Sequence, residues 1–289
     1  MSAAVARIGQ APPACRDFCL WPYQPPEAPL PDALDGAAPL LAAAELSGCG
    51  AAWRALVAAL RAELGDYATV WGLKWDGARL GVELYFYDYA RCQRRVSLAR
   101  VMAALRPFAA GAARVDEALP YFMVSVELPL AVGGFPAVLD AADVYIGNPG
   151  SSVSSGICYR VAEGAAELKN FYFFFDRAKE WEHIRGKLGC GMRVAADPGC
   201  VERLLPDWLA ECRTVVVANK RQADALYCSG LALAPTLRFL AQQGWPPALL
   251  AQMQAAAPRL RHLLWDVGFD FDLVDGRVGI GKSSFYGVF

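Results

Sequence analysis

Apolar positions recur along this chain at two periods, and the switches between them mark the elements. In residues 51–63, Trp53, Leu56, Val57 and Leu60 keep helical spacing until Gly65-Asp66 stops the run. The period then becomes two: residues 67–75 and 79–87 flank Asp76-Gly77, which predicts a β-hairpin. A helix is predicted over 97–108. A second, less regular strand pair covers 121–128 and 143–146, separated by a loop with Gly133-Gly134-Phe135-Pro136. Residues 154–161 and 167–175, joined through Glu163-Gly164, make a third hairpin, followed by a helix over 177–188. A short helix at 201–212 precedes a fourth hairpin, 214–219 with 223–229. Helices at 234–243 and 247–256 precede a fifth, 263–273 with 277–289 around Asp275-Gly276. The first 38 residues, with Pro22, Pro25, Pro26, Pro29 and Pro31, show neither period and read as an N-terminal arm. Residues 39–289 read as one domain.

Five hairpins with helices around them repeat the order α-β-β-α and predict an α+β barrel of about ten antiparallel strands inside an outer ring of helices. Three hairpins also share a Gly, an alternating run and an acidic-Gly turn. The strands have two unlike faces. Leu80, Val82, Leu84 and Phe86 oppose Gly81, Glu83, Tyr85 and Tyr87; Trp265, Val267, Phe269 and Phe271 oppose Asp266, Gly268, Asp270 and Asp272. Helices covering the apolar faces would turn the polar and aromatic faces inward. Ten strands enclose more room than the eight that suffice for one small ligand, which predicts a central chamber; the competing reading is that the aromatics fill a solid core.

Composition narrows the function. With 28 Lys+Arg against 29 Asp+Glu the net charge is -1, and no basic run exceeds Arg94-Arg95, so nucleic acid is not an expected partner. No apolar run reaches the roughly 20 residues of a membrane helix, and residues 1–13 lack the pattern of a signal sequence. The expectation is a soluble, cytoplasmic protein without a membrane partner. Nine Cys with no CxxC pair suit reduced thiols, and two His, His183 and His262, leave no material for a multi-His metal site or a His-based triad. No GxGxxG or P-loop is present.

The repeated hairpins, the segments 156–175 and 219–230, and the aromatic final strand Gly281-Lys282-Ser283-Ser284-Phe285-Tyr286-Gly287-Val288-Phe289 resemble the ABBA prenyltransferases, and within them the cyanobactin-type peptide prenyltransferases. The resemblance spans residues 50–289, including the first hairpin running into Asp88-Tyr89. It rests on topology and loose pattern rather than on a sharp motif. It implies a chamber in which cations and tyrosines hold an allylic diphosphate, aromatic faces screen the allyl cation, and an acidic residue orients or deprotonates the acceptor. On that basis Lys74, Arg160, Lys169, Lys220, Lys282, Tyr172 and Tyr227 are the expected diphosphate ligands. Tyr85, Tyr87, Phe174 and Tyr286 are the expected wall around the carbocation, and Glu83 the catalytic acid. Parity leaves the side of Lys169 open, and Lys220 beside Arg221 is as readily a surface residue near a turn. No tightly bound cofactor is implied; enzymes of this type are often used with Mg2+, for which Asp270 and Asp272 are candidate ligands, although same-side carboxylates also suit a solvated barrel mouth.

The implied activity is transfer of a dimethylallyl or geranyl group from its diphosphate to a nucleophilic side chain of a ribosomally made, cyclic peptide. Free aromatic amino acids and small phenols or indoles are the alternative acceptors. Two readings of other classes compete: a noncatalytic barrel that binds a hydrophobic ligand, and an interaction protein with a solid barrel.

Overall fold

The computed structural model describes residues 32–65, 68–88, 94–148, 154–163 and 165–288. Ten strands form one closed, antiparallel barrel: β1 (Thr69–Trp75), β2 (Leu80–Tyr87), β3 (Tyr121–Pro129), β4 (Ala141–Gly147), β5 (Ser155–Ala162), β6 (Ala165–Asp176), β7 (Thr214–Lys220), β8 (Asp224–Leu231), β9 (Trp265–Val274) and β10 (Arg277–Val288). Each strand pairs with the next in sequence, and β10 closes on β1 with Gly72 opposite Tyr286 and Lys74 opposite Ser284. Closure leaves the barrel no free edge; a separate two-stranded parallel sheet pairs Ala109–Ala110 with Ala137–Val138. Most of N-terminal arm 1–38, Tyr89, the Gly164 turn residue and Phe289 lie outside the described residues.

The period-two pattern sorts side chains into two cores. Outward residues such as Trp71, Leu84, Leu226, Val267 and Phe269 share one buried cluster with residues of the helices. Those helices are α1 (Ala38–Leu46), α2 (Gly50–Leu64), α3 (Leu98–Leu105), α4 (Trp181–Gly189), α5 (Met192–Ala195), α6 (Val201–Leu204), α7 (Leu233–Gln242), α8 (Pro247–Ala255) and α9 (Ala257–Leu260). Inward residues form a second, smaller cluster that contains Tyr87, Phe122, Met123, Tyr145, Cys158 and Tyr286. The six described cysteines are free, with Cys190 exposed and the other five buried. No helix among the described residues is long and apolar enough to cross a membrane.

The helices depart from expectation where side chains intervene. α1, which begins where the expected arm ends, is apolar almost all round and so carries no periodicity that predicts it. The preceding residues are anchored: Leu34 N–H donates to the Arg259 carbonyl at 3.0 Å, and Arg61 pairs with Asp35 at 2.8 Å. The helix expected from 177 starts only at Trp181, because the Asp176 carboxylate accepts the Ala178 and Lys179 N–H groups and holds a turn there. The helix expected over 201–212 breaks at Pro206, which lacks an N–H, into α6 and the 3-10 turn Asp207–Glu211. The Ser97 side chain caps α3 by accepting the Arg100 N–H at 3.1 Å.

Phe269 is 2% exposed and meets Phe239 of α7 with ring centroids 5.9 Å apart, joining the barrel to its outer layer. Phe269→Ala is expected to cost about 3–5 kcal/mol in urea unfolding; a loss below about 1 kcal/mol would contradict this packing.

Candidate functional site

The interior divides along the barrel axis into a polar part and an apolar part. The polar cavity, of about 140 Å3, is lined by four lysines, Lys74, Lys169, Lys220 and Lys282, and four carboxylates, Glu83, Glu127, Asp143 and Asp270. The chain has only six lysines, so two-thirds of them converge here. They come from β1, β6, β7 and β10, at the end of the barrel where the Asp76-Gly77 and Asp275-Gly276 turns lie. The apolar cavity, of about 100 Å3, is lined by Val70, Tyr87, Phe122, Met123, Phe174 and Val216 together with Ser229 and Asp266. Five tyrosines, Tyr85, Tyr145, Tyr172, Tyr227 and Tyr286, line both cavities and form the belt between them.

The belt is continuous from ring to ring. Tyr286 meets Tyr85 edge-on at 5.4 Å, Tyr85 meets Tyr145 at 5.9 Å, Tyr145 meets Tyr172 at 5.9 Å, and Tyr172 meets Tyr227 at 6.4 Å. Two glycines make room for it. A Cβ at Gly72 would lie 2.6 Å from the Tyr286 ring, and one at Gly268 would lie 2.3 Å from the Tyr227 ring; each glycine is the cross-strand partner of the tyrosine it admits. Burial pushes all five hydroxyls above the ordinary tyrosine range, so they remain hydrogen-bond donors.

The charges are paired unequally. The Lys74 ammonium contacts Glu83 at 2.6 Å and Glu127 at 2.7 Å. Burial pulls Lys74 down, but these two carboxylates outweigh it and hold the ammonium well above the ordinary lysine range. Glu127, at 61% exposure the most solvated of the four carboxylates, would be raised by its partial burial, yet Lys74, with help from Lys169 and Lys282, lowers it to about 2. Lys220 pairs with Asp270 at 2.6 Å and Lys169 pairs with Asp143. Asp143 is raised, because burial exceeds what Lys169 returns. Since Lys74 takes two carboxylates, one lysine is left over: among the described residues no carboxylate lies within ion-pair distance of Lys282. Burial first, then the Lys74 ammonium and more weakly Lys220, lower its pKa, against the opposing pull of Asp270 and Glu83.

One of these lysines reaches the interior through a register shift, and Lys282, in phase with Ser284 and Tyr286, lies beside another. On β6 the pairing passes from Cys158–Asn170 to Tyr159–Leu168, so Lys169 is the extra residue of a bulge and joins Asn170 in the chamber. On β10 it passes from Phe269–Ser283 to Phe271–Ile280, an extra residue beside Lys282. Glu83 is 4% exposed and accepts from Ser125 Oγ at 3.4 Å; that hydroxyl is 3.2 Å from the Tyr145 hydroxyl, which links Glu83 to the belt.

The remaining sequence-predicted positions fall elsewhere. Tyr87 and Phe174 wall the apolar cavity. Arg160 is exposed near the end of β5 and lines an adjoining cavity of about 320 Å3, whose wall also includes Glu127, Asp140, Asp143 and Lys169. Asp270 and Asp272 are not brought together: Asp270 faces inward onto Lys220, while Asp272, expected on the same face, is held by Arg193 of α5 at 2.6 Å. Its place follows from the register shift after Phe269 and from the hairpin running on past the chamber. Among the described residues no group of three or more His, Cys, Asp or Glu could hold a metal ion, so this pair does not form a fitting Mg2+ site. His183 is exposed on α4 beside Glu180, and His262 lies in the turn before β9.

Sequence reasoning missed Glu127, Asp143, Tyr145 and Asn170. The signal was present: Ser125 and Glu127 alternate with Val124, Val126 and Leu128, and Asp143 and Tyr145 alternate with Ala142 and Val144. No family model matches the chain, and no curated protein matches it.

Gly268→Ala is expected to drive Tyr227 out of the belt, lowering stability by about 1–3 kcal/mol and altering the near-ultraviolet circular dichroism. An unchanged spectrum and melting point would contradict the close approach. The Glu127 carboxyl is expected to titrate near 2 by carbon NMR and to return toward about 4.3 in Lys74→Met. Because its folded value is the lower one, its pairing stabilises the fold above about pH 4.3, and that contribution is lost as pH falls toward 2. A Glu127 carboxyl unmoved by Lys74→Met would refute the pairing.

Proposed function

We propose that the protein is an ABBA-type prenyltransferase that moves a dimethylallyl or geranyl group from its diphosphate to a nucleophilic side chain of a peptide. Free aromatic amino acids and small phenols are the alternative acceptors. The observation that carries this reading is the convergence of four of six lysines on one side of a continuous tyrosine belt, with an apolar cavity on the other.

That order matches the order of charge along an allylic diphosphate. The diphosphate belongs at Lys282, which has no carboxylate at ion-pair distance among the described residues, with Lys220 beside it; ammonium groups there meet the charge that grows on the leaving oxygen. The Tyr172 hydroxyl accepts from Asn170 at 2.8 Å, and Tyr227 lines the same cavity. The isoprenoid passes the belt into the apolar cavity. As the C–O bond breaks, the allyl cation lies among the faces of Tyr85, Tyr286 and their neighbours, which attract positive charge and exclude water. The acceptor attacks the cation and gives up its proton; the contacts from Tyr145 through Ser125 to Glu83 offer that proton a route to a carboxylate. No step is assigned to Mg2+.

The test is mass spectrometry of the full chain with dimethylallyl and geranyl diphosphate, against aromatic amino acids and Tyr-, Trp-, Arg- and His-containing peptides. A mass gain of one prenyl unit with release of diphosphate is expected. Lys282→Ala and Lys220→Ala should each lower kcat/KM by about 100- to 1000-fold. Tight binding of the diphosphates without any transfer would instead favour a noncatalytic ligand-binding barrel.

A further inference from the structure

The uneven pairing of the interior charges singles out one amine. We propose that Lys282 is the nucleophile of the chamber and that it captures carbonyl compounds bearing a phosphate or similar anionic group as an imine. This goes beyond prenyl transfer and does not depend on it.

Each of the other lysines is committed elsewhere. Lys74 is clamped between Glu83 and Glu127, Lys169 lies on Asp143, and Lys220 lies on Asp270. Outside the barrel, Lys179 pairs with Asp176, and Lys187 sits 3.9 Å from the centre of the Phe173 ring. A lysine bound to a carboxylate is held as an ammonium, whose lone pair is engaged. Lys282 shares the cavity wall with Ser284 and Tyr286 and has no such partner among the described residues. Burial and the Lys74 and Lys220 ammonium groups lower its pKa against the pull of Asp270 and Glu83, a shift toward the neutral form that a nucleophilic lysine needs.

The surroundings select the carbonyl. The Lys220 and Lys74 ammonium groups, although paired with carboxylates, keep N–H donors for an anionic substituent, and Tyr227 and Tyr286 line the same cavity. The Lys282 Nζ lone pair attacks the carbonyl carbon, and the proton it loses passes to the carbonyl oxygen to give a carbinolamine. Loss of that oxygen as water leaves the C=N bond, so the step needs no oxidant. An inorganic diphosphate in the cavity would keep Lys282 protonated and block the reaction.

The experiment is to treat the full chain with limiting pyridoxal 5′-phosphate, add borohydride, whose hydride reduces the imine to a stable secondary amine, and map the adduct by peptide mass spectrometry. The adduct is expected on Lys282, to vanish in Lys282→Arg, and to be suppressed by inorganic diphosphate. Pyridoxal, lacking the phosphate, should label about tenfold less, the loss of one charge-assisted contact. Labelling of Lys179 or Lys187 at or above the level of Lys282 would overturn the proposal. So would adducts centred on Lys169 or Lys220, or labelling indifferent to diphosphate. If Lys282→Arg fails to fold, the map of the unaltered chain decides alone. The readout is the position of an adduct, so absence of prenyl transfer leaves the outcome unaffected.

Discussion

The double engagement of Lys74 governs the interior of this barrel. A buried ammonium or carboxylate is tolerated when it meets an opposite charge, and four of each line one cavity. Pairing them one to one would leave a closed, internally satisfied network. Instead Glu83 and Glu127, opposite each other on β2 and β3, both turn to Lys74 on β1, and the lysine left without an ion-pair partner among the described residues is Lys282, across the β1–β10 seam. Closure of the sheet is what makes this arrangement available. β1 and β10 lie at opposite ends of the chain, and only their pairing puts Lys74 and Lys282 on one wall.

The tyrosine belt depends on the same strands and on an absence of side chains. Tyr286 lies over Gly72 and Tyr227 over Gly268, where a methyl group would enter the ring's own space. The rings can therefore lean across the strands and touch one another around the interior, rather than standing apart as a lining. All five rings line both cavities, so a single layer separates a polar space from an apolar one within one barrel. A ligand that is ionic at one end and apolar at the other satisfies both sides at once. That is the physical ground for reading the chamber as a site for an allylic diphosphate.

Much of this was legible in the sequence, because a strand has a strict period of two. The alternation in residues 80–87 and 265–271 assigned Glu83, Tyr85, Gly268 and Asp270 to the inner face without any contact being known. The five hairpins, their order and the outer helices followed from the switch between periods, with errors where a cap or a proline acted locally, as at Asp176 and Pro206. The weaker pair, β3 and β4, carried the same alternation at Ser125, Glu127, Asp143 and Tyr145, but short apolar runs separated by a long loop drew no attention to them.

What the chain determined alone is thus the two-faced character of its strands, since side-chain direction follows from local backbone geometry. Which charge meets which was decided only by the tertiary structure, because ion pairs join residues far apart in sequence, such as Lys220 with Asp270 and Lys74 with Glu127. So was the side of Lys169, where parity stops at a bulge that a partner strand imposes. Arg160 and Asp272 make the same point at the ends of strands. Alternation predicts a face but not a depth, and depth is set by how far each strand runs past the chamber before its partner stops.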